Sequence, residues 1–159
     1  METSVILVSQ KVPTIVREHI RAQICAAESV LNSDRFINDS SAYDIKHYFT
    51  DGVYARELTI PSGHIVVGKI HKHEHLNFLS KGKVTVLTEE GGKEVLTAPC
   101  TLISPKGVKR LLYTHEETVW TVIHVTSETD LDKIEKEVIA KDYTEMGWAN
   151  PNTNIERAL

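Results

Sequence analysis

Hydrophobic side chains recur at helical spacing near the N-terminus. Residues 12–32 place their apolar side chains on one stripe of a helix and their charged side chains outside it. Pro13 fits the first turn of such a helix. The spacing predicts an amphipathic packing helix, and the Asn-, Ser- and Asp-rich residues 32–44 predict a loop after it. The stripe consists of Val16, Ile20, Ile24, Ala27 and Leu31.

The pattern changes to short β-rich runs between residues 51 and 125. The runs are separated by turn residues, for example at 61–63 and 91–92. Many short strands with no helix between them are typical of an antiparallel sandwich or barrel. The predicted strands are 53–60, 65–70, 76–79, 83–88, 94–96, 101–103, 108–113 and 119–125.

A second helix is predicted after these strands. Ser127 and Asp130 have the spacing of a capping box, and apolar residues then recur at helical spacing as far as Asp142. The tail beyond has no period, and Trp148 is its only large apolar anchor. The expected organisation is an N-terminal helical extension, a β-barrel and a C-terminal helix with its tail, at residues 1–50, 51–126 and 127–159.

Charge and composition narrow the expected partners and location. The 159 residues carry a formal charge of -4 with no long basic run, so nucleic acid is not an expected partner. The apolar run 5–8 is far shorter than the ~20 residues of a membrane span, so we expect no membrane partner and a cytoplasmic protein. Cys25 and Cys100 lie among apolar neighbours, which favours buried free thiols.

Histidines are the strongest chemical signal in the chain. Four of the 8 histidines fall within residues 64–75, among them His71, His73 and His75. On a straight strand these three would face the same side. His71 and His75 would then lie about 13 Å apart, too far to share one metal ion. A bend between them would change that conclusion.

The spacing around these histidines resembles the first motif of the cupin superfamily, whose members are RmlC-like β-barrels. Gly82 occupies the position of the glycine that ends the motif. Counting back from Gly82 places His75 where the family has glutamate, and His71 on the second histidine of the family's pair. Lys69 falls on the first histidine of that pair. The metal-ligand set of the family is therefore altered in this chain.

The second cupin motif is also recognisable. Pro105 and Gly107 keep its Pro-x-Gly, whereas Pro99 replaces its glycine and Arg110 replaces its histidine. The resemblance covers residues 63–125, roughly half the chain. It implies a mainly β protein with a cupin-type antiparallel β-barrel (a double-stranded β-helix) flanked by an N-terminal and a C-terminal helix.

The local strings 68–77, 104–110 and 120–124 are similar to small cupin-like proteins of bacteriophages and prophages. That likeness implies a viral or prophage origin and a bacterial host cytoplasm. It leaves open whether the protein belongs to the virion.

Within a cupin barrel, the resemblance implies that the chain bends so that His71 and His75 converge and His73 is left exposed at the bend. His124, at the end of the last β run, is the expected third imidazole. Three neutral imidazoles suit a divalent transition metal such as Zn, Fe, Ni or Cu. The alternative is metal-free: inward-facing histidines hydrogen-bonded to Glu74, to Asn77 or to each other.

The replaced ligands suggest the charge of the bound molecule. Arg110 and Lys69 put fixed positive charge where the family has metal ligands, which favours an anionic ligand such as a carboxylate or phosphate. Asn77 is a third candidate ligand-binding residue, and Glu74 is the candidate catalytic acid or base.

Three functions remain open at this point. The first is an enzyme that acts on a small molecule at a histidine-bound metal. The second is a protein that sequesters a small anion, for example a nucleotide signal of host defence, without turning it over. The third is a structural or interaction role in the phage. A homodimer is expected because barrels of the family expose a sheet face that commonly pairs.

Overall fold

A computed structural model describes residues 13–32 and 43–151. The described residues do not include the terminal segments 1–12 and 152–159, and the apolar run 5–8 falls in the first of these. They also do not include residues 33–42 of the predicted loop 32–44. The helices are α1 (Thr14–Leu31), α2 (Leu131–Val138) and a 3-10 helix (Tyr143–Met146). The strands are β1 (Asp44–Thr50), β2 (Val53–Ile60), β3 (Ile65–Val67), β4 (Ile70–His71), β5 (His75–Lys81), β6 (Lys83–Thr88), β7 (Gly92–Thr97), β8 (Cys100–Ser104), β9 (Arg110–Thr114), β10 (Thr118–Val125) and β11 (Ile139–Ala140).

Nine of the eleven strands form two antiparallel sheets whose inner faces pack on each other. One sheet has the order β1-β2-β10-β5-β8, and the other has the order β3-β9-β6-β7. Without β1, this is the strand order of a double-sheet jelly roll, the architecture to which cupins belong. The expected mainly β, cupin-type fold with two flanking helices is confirmed.

Alternation along the strands decides which side chains fill the interior. In β5 the side chains of His75, Asn77 and Leu79 are buried, whereas the intervening Leu76 and Phe78 are exposed. A two-residue period of this kind points one set of side chains between the sheets. The apolar core is made of Leu79, Val84, Val86, Leu96, Leu112 and Trp120.

The N-terminal helix docks on the outside of this barrel through paired charges. Arg21 forms an ion pair with the buried Glu89, and its guanidinium lies 4.6 Å from the centre of the Tyr143 ring. Lys109 forms an ion pair with Glu28 of α1. Desolvated Arg–carboxylate and cation–π contacts of this kind fix orientation as well as energy. The predicted amphipathic packing helix is confirmed, with Ile24 buried.

The C-terminal segment departs from its predicted course. Asp130 is itself the N-cap of α2 and accepts a hydrogen bond from the Lys133 amide, so the predicted capping box that starts at Ser127 does not form. The helix ends at Val138, not Asp142, because β11 pairs with β4 and takes its residues into a two-stranded sheet. The tail is anchored by Trp148, whose ring stacks 6.1 Å from that of Tyr143.

Two smaller features complete the fold. β1 lies within the segment assigned to the N-terminal extension, and it pairs with β2 along its whole length, so the sheet begins at Asp44. Cys25 and Cys100 are free and half-buried. Neither long helix within residues 13–32 and 43–151 has the length and apolar character needed to cross a bilayer.

Candidate metal centre and ligand cavity

A bend between β4 and β5 brings His71 and His75 together. The amide of Lys72 donates to the Val138 carbonyl at 2.8 Å, and the Gly107 amide donates to the His71 carbonyl at 2.8 Å. The two imidazole rings stack with their centres 4.1 Å apart, in place of the roughly 13 Å of a straight strand. His73 lies in the bend and is exposed. The expected bend and the exposure of His73 are confirmed.

His124 joins this pair from the other half of the barrel. It lies on the inner face of β10, opposite Tyr54 of β2. Its Nε2 is 3.2 Å from Nδ1 of His71. One ring nitrogen from each of His71, His75 and His124 lies within 4.8 Å of the other two. The structure therefore brings together the three imidazoles expected from the sequence, and we call them the histidine triad.

One hydrogen bond determines which nitrogen of His75 is available. Nδ1 of His75 lies 3.0 Å from the carbonyl oxygen of His73 and donates its proton to it, because a carbonyl can only accept. In the neutral ring Nε2 then carries the lone pair. That atom is buried and has no hydrogen-bond partner among the described residues. A buried, unpartnered lone pair with its ring fixed by the opposite nitrogen is the arrangement of a metal-binding histidine.

Burial also keeps the triad neutral. Burial, with smaller contributions from the other two histidines and from Arg110 and Arg56, lowers the pKa of His71 to about 2. The pKa values of His75 and His124 fall to about 4, chiefly through burial. At neutral pH all three rings are therefore unprotonated. The triad fits a divalent transition metal that prefers imidazole, such as Zn, Fe, Ni or Cu.

Two members of the triad, His71 and His124, line a cavity of about 1140 Å³ between the two sheets, and His75 stacks on His71. Ligand cavities usually measure about 300–1,000 Å³, so this one has room for a small molecule beside a metal ion. Its lining is apolar toward the core, with Leu58, Leu112 and Val122, and polar near the triad. An ion held by three protein ligands keeps a coordination position open toward that space.

Arg110 is the charged residue of the cavity that the sequence predicted. Its Nη2 donates to Oγ of Ser104, and its guanidinium lies 6.0 Å from the centre of the Trp120 ring. Burial lowers the pKa of Arg110 to about 10, which leaves it protonated at neutral pH. None of the salt bridges between described residues includes Arg110. The cavity therefore holds a buried cation without a carboxylate partner from the described chain.

Two other predicted site residues occupy different positions from those expected. Lys69 reaches only the rim of the cavity, where its exposed ammonium forms an ion pair with Glu135 of α2. Glu74 is exposed and does not line the cavity, because it directly precedes the inward-facing His75 and so falls on the opposite side of the strand. The structure does not bring Glu74 to the histidine triad.

Asn77 does line the cavity, but its side chain is engaged by neighbours. Its Nδ2 donates to Oγ of Ser104 at 2.6 Å, and its Oδ1 accepts from Nε1 of Trp120 at 3.0 Å. Since Ser104 also accepts from Arg110, Asn77 connects Trp120 with the arginine. These bonds make Asn77 a support for the position of Arg110.

The sequence reasoning missed Arg56. This arginine of β2 lines the cavity, and no salt bridge between described residues includes it. The signal was present, because Arg56 shares its side of the strand with Tyr54, Leu58 and Ile60, three largely apolar side chains. A lone arginine on the apolar side of an alternating strand indicates a functional cation.

Comparison with known proteins adds only structural likenesses: no family model and no curated protein matches the sequence. An RmlC-like cupin from Methanocaldococcus jannaschii, with a double-stranded β-helix fold, is 17% identical over 58% of this chain and 87% of its own, with a TM-score of 0.45. KdgF from Halomonas sp. is 15% identical over 58% and 86%, at 0.47. An acetylacetone dioxygenase from Acinetobacter johnsonii is 18% identical over 58% and 70%, at 0.43. These likenesses cover little more than half of this chain.

Proposed function

We propose that this protein is a cupin-type protein that holds a divalent transition metal through His71, His75 and His124 and binds a small anionic molecule beside it. The observation that carries the proposal is the buried Nε2 of His75, which has no partner among the described residues and faces two neutral imidazoles. The metal would supply Lewis acidity at an open coordination position. The histidines hold it and Arg110 orients the anion.

The proposal leaves turnover to be decided by experiment. The carboxylates that line the cavity among the described residues are Glu28, Asp132 and Glu135, and none of them is buried. A buried general base near the triad is therefore missing from the described carboxylates. This favours a second candidate function, in which the protein retains its ligand without chemistry. In a phage or prophage setting, a nucleotide signal of host defence is one example of such a ligand.

Metal analysis tests the proposal. We expect the protein purified without a histidine tag to bind one equivalent of Zn, Fe(II), Ni or Cu per chain. Replacing His75 or His124 by Ala should weaken metal binding by at least about 100-fold, because loss of an outer-shell partner alone costs about 10–100-fold. His73→Ala is the matched control, since His73 is exposed in the same bend, and it should leave affinity unchanged. Equal losses in all three variants, or no metal uptake by the wild type, would refute the proposal.

Mass spectrometry of molecules released from the native protein separates the two functions. A retained, chemically unaltered anion indicates sequestration. A protein that carries metal but no ligand, and that consumes a candidate anion, indicates an enzyme.

A further inference from the structure

The inner face of the five-stranded sheet has a defined order of functional side chains. Strand register places Tyr54 opposite His124. The β10–β5 pairing ends at Ile123 and Leu76, and the rings of the residues next to them, His124 and His75, have their centres 5.0 Å apart. The same row continues from His75 to Ser104 of β8. Arg56 lies one inward position along β2 from Tyr54. The row therefore begins on β2 at Tyr54, beside Arg56, includes His124 and His75 of the histidine triad, and ends on β8 at Ser104.

A hydrogen bond to Ser104 locates the guanidinium of Arg110 in the cavity. Although Arg110 belongs to β9 in the facing sheet, its guanidinium donates to Oγ of Ser104. β2 and β8 are separated by β10 and β5, so three inter-strand spacings, or about 14 Å, divide the strand of Arg56 from that of Ser104. The two arginines thus enter the cavity from opposite sides of the triad.

The charges around the two arginines differ from those around two lysines, Lys69 at the cavity rim and Lys109 outside the cavity lining. Lys69 and Lys109 are each paired with a carboxylate, Glu135 and Glu28 respectively. Arg56 and Arg110 have no such partner among the salt bridges of the described residues. A desolvated cation is costly unless an anion accompanies it. Arg56 and Arg110 are both partly buried, so two unmatched arginines favour a ligand with two negative charges.

We propose that the ligand carries two separate acid groups, one bound by Arg110 and the other by Arg56, on opposite sides of the metal site. This inference rests on the proposed function and specifies its ligand class: a dicarboxylate or a phosphorylated carboxylate. The spacing of about 14 Å between the strands of Arg56 and Ser104 favours two acid groups over one. A molecule with two acid groups spans the triad and presents its middle to the open coordination position.

Calorimetric titration of the metal-loaded protein with defined anions tests this ligand class. The probes are succinate, glutarate and adipate, the monocarboxylates butyrate, valerate and hexanoate matched to them in chain length, and phosphoglycolate. We expect one of the dicarboxylates or phosphoglycolate to bind at least about tenfold more tightly than any monocarboxylate, the scale of one hydrogen-bonded charge. Preference for phosphoglycolate would assign the second group as a phosphate, and preference for a dicarboxylate would assign it as a carboxylate.

Arginine variants identify which arginine side chain binds which acid group of the ligand. Arg56→Gln should remove the preference for two acid groups, so that the variant binds the dicarboxylates and phosphoglycolate no more tightly than the monocarboxylates. Arg110→Gln should weaken both kinds of probe, and Arg110→Lys, which keeps the charge in case the glutamine variant does not fold, should restore part of the affinity. Arg17→Gln is the matched control. Arg17 lies on α1, does not line the cavity and pairs with Glu90, and its loss changes the net charge by the same amount.

The outcomes separate this inference from the proposed function. If the wild type binds metal and monocarboxylates but gains nothing from a second acid group, the two-group ligand is wrong and the anion site stands. The same conclusion follows if Arg56→Gln behaves like Arg17→Gln. If the wild type binds neither metal nor any probe, both proposals are wrong.

Discussion

The two ends of the barrel interior are built from the same strands, but one end is a packed apolar core and the other holds the histidine triad. At one end, Leu79 of β5 and Trp120 of β10 pack with Val84 and Leu112 of the facing sheet. At the other end, the same two strands contribute His75 and His124 to the histidine triad, and His124 also lines the ligand cavity. Four residues along each strand separate a core side chain from a triad histidine, Leu79 from His75 on β5 and Trp120 from His124 on β10. Stability and binding are therefore expected to respond to different substitutions.

The largest stability effect is predicted at the packed end. Leu79 is fully buried, so Leu79→Ala should lower the free energy of unfolding by about 2–5 kcal/mol. Chemical denaturation measures this loss. At a temperature where the variant stays folded, its metal affinity should match the wild type. A variant that keeps its stability would show that the interior there is loosely packed.

The polar end should give the opposite result. His124→Ala should change the stability of the metal-free protein by less than about 1 kcal/mol, because His124 has one side-chain hydrogen bond to lose among the described residues, the contact with His71. Metal should stabilise the wild type by about 2.7 kcal/mol at a concentration 100 times its Kd. The variant should show no such gain in a thermal melt with and without Zn. A metal-dependent gain that survives in the variant would place the site elsewhere.

The pH dependence of stability distinguishes the two ends again. In the unfolded chain these histidines titrate near 6.5, whereas folding lowers the pKa of His75 and His124 to about 4. As pH falls from 6.5 toward 4, the unfolded chain binds protons that the folded chain does not. The metal-free protein should therefore lose up to about 1.4 kcal/mol per pH unit for each such histidine, with stability highest above pH 6.5.

Denaturant titrations between pH 6.5 and 4.5 measure this slope. The matched control is the double variant His75→Leu, His124→Leu, whose slope should be smaller because two titrating groups are gone. Identical slopes would mean that these rings titrate normally in the folded protein.

The outer face of the same strands provides a smaller test, of association. Strand register aligns Tyr48, Ala55, Ile123, Leu76 and Ile103 across all five strands of the larger sheet. Leu76 is 43% exposed and Ile103 is 55% exposed. We propose that this apolar row is the contact of the expected homodimer. Leu76→Glu should halve the mass measured by light scattering at micromolar concentration without changing metal affinity. A wild type that is monomeric under those conditions would contradict the dimer.

Much of the fold followed from the sequence because alternation and turn residues are local signals. The bounds of β2 and β6 were predicted without error. β1 was missed because nearly every residue in it is exposed, so it has no alternation between buried and exposed positions. The end of α2 was misplaced because Ile139 and Ala140 continue the helical spacing, and only their pairing with β4, distant in the sequence, withdraws them from the helix.

The site was predictable to the extent that its ligands carry their own signal. His71, His75 and His124 converge as expected. Their convergence was predictable because imidazoles are uncommon on inward-facing positions and because the motif spacing located the bend. Glu74 illustrates the limit, since proximity in sequence to a ligand does not place a side chain on the same face of a strand. The ion pair between Lys69 and Glu135 joins segments far apart in the chain, so no local pattern reveals it.

The most direct test of the central claim is anomalous diffraction from crystals of the metal-loaded protein at the absorption edge of the bound ion. We predict one strong anomalous peak per chain, with nitrogen atoms of His71, His75 and His124 about 2.0–2.1 Å from it if the ion is zinc. The bond from His75 should come from Nε2, because Nδ1 donates to the His73 carbonyl. Crystals that take up metal only at the exposed His73 or His64, or that show no peak between these three rings, would contradict the account.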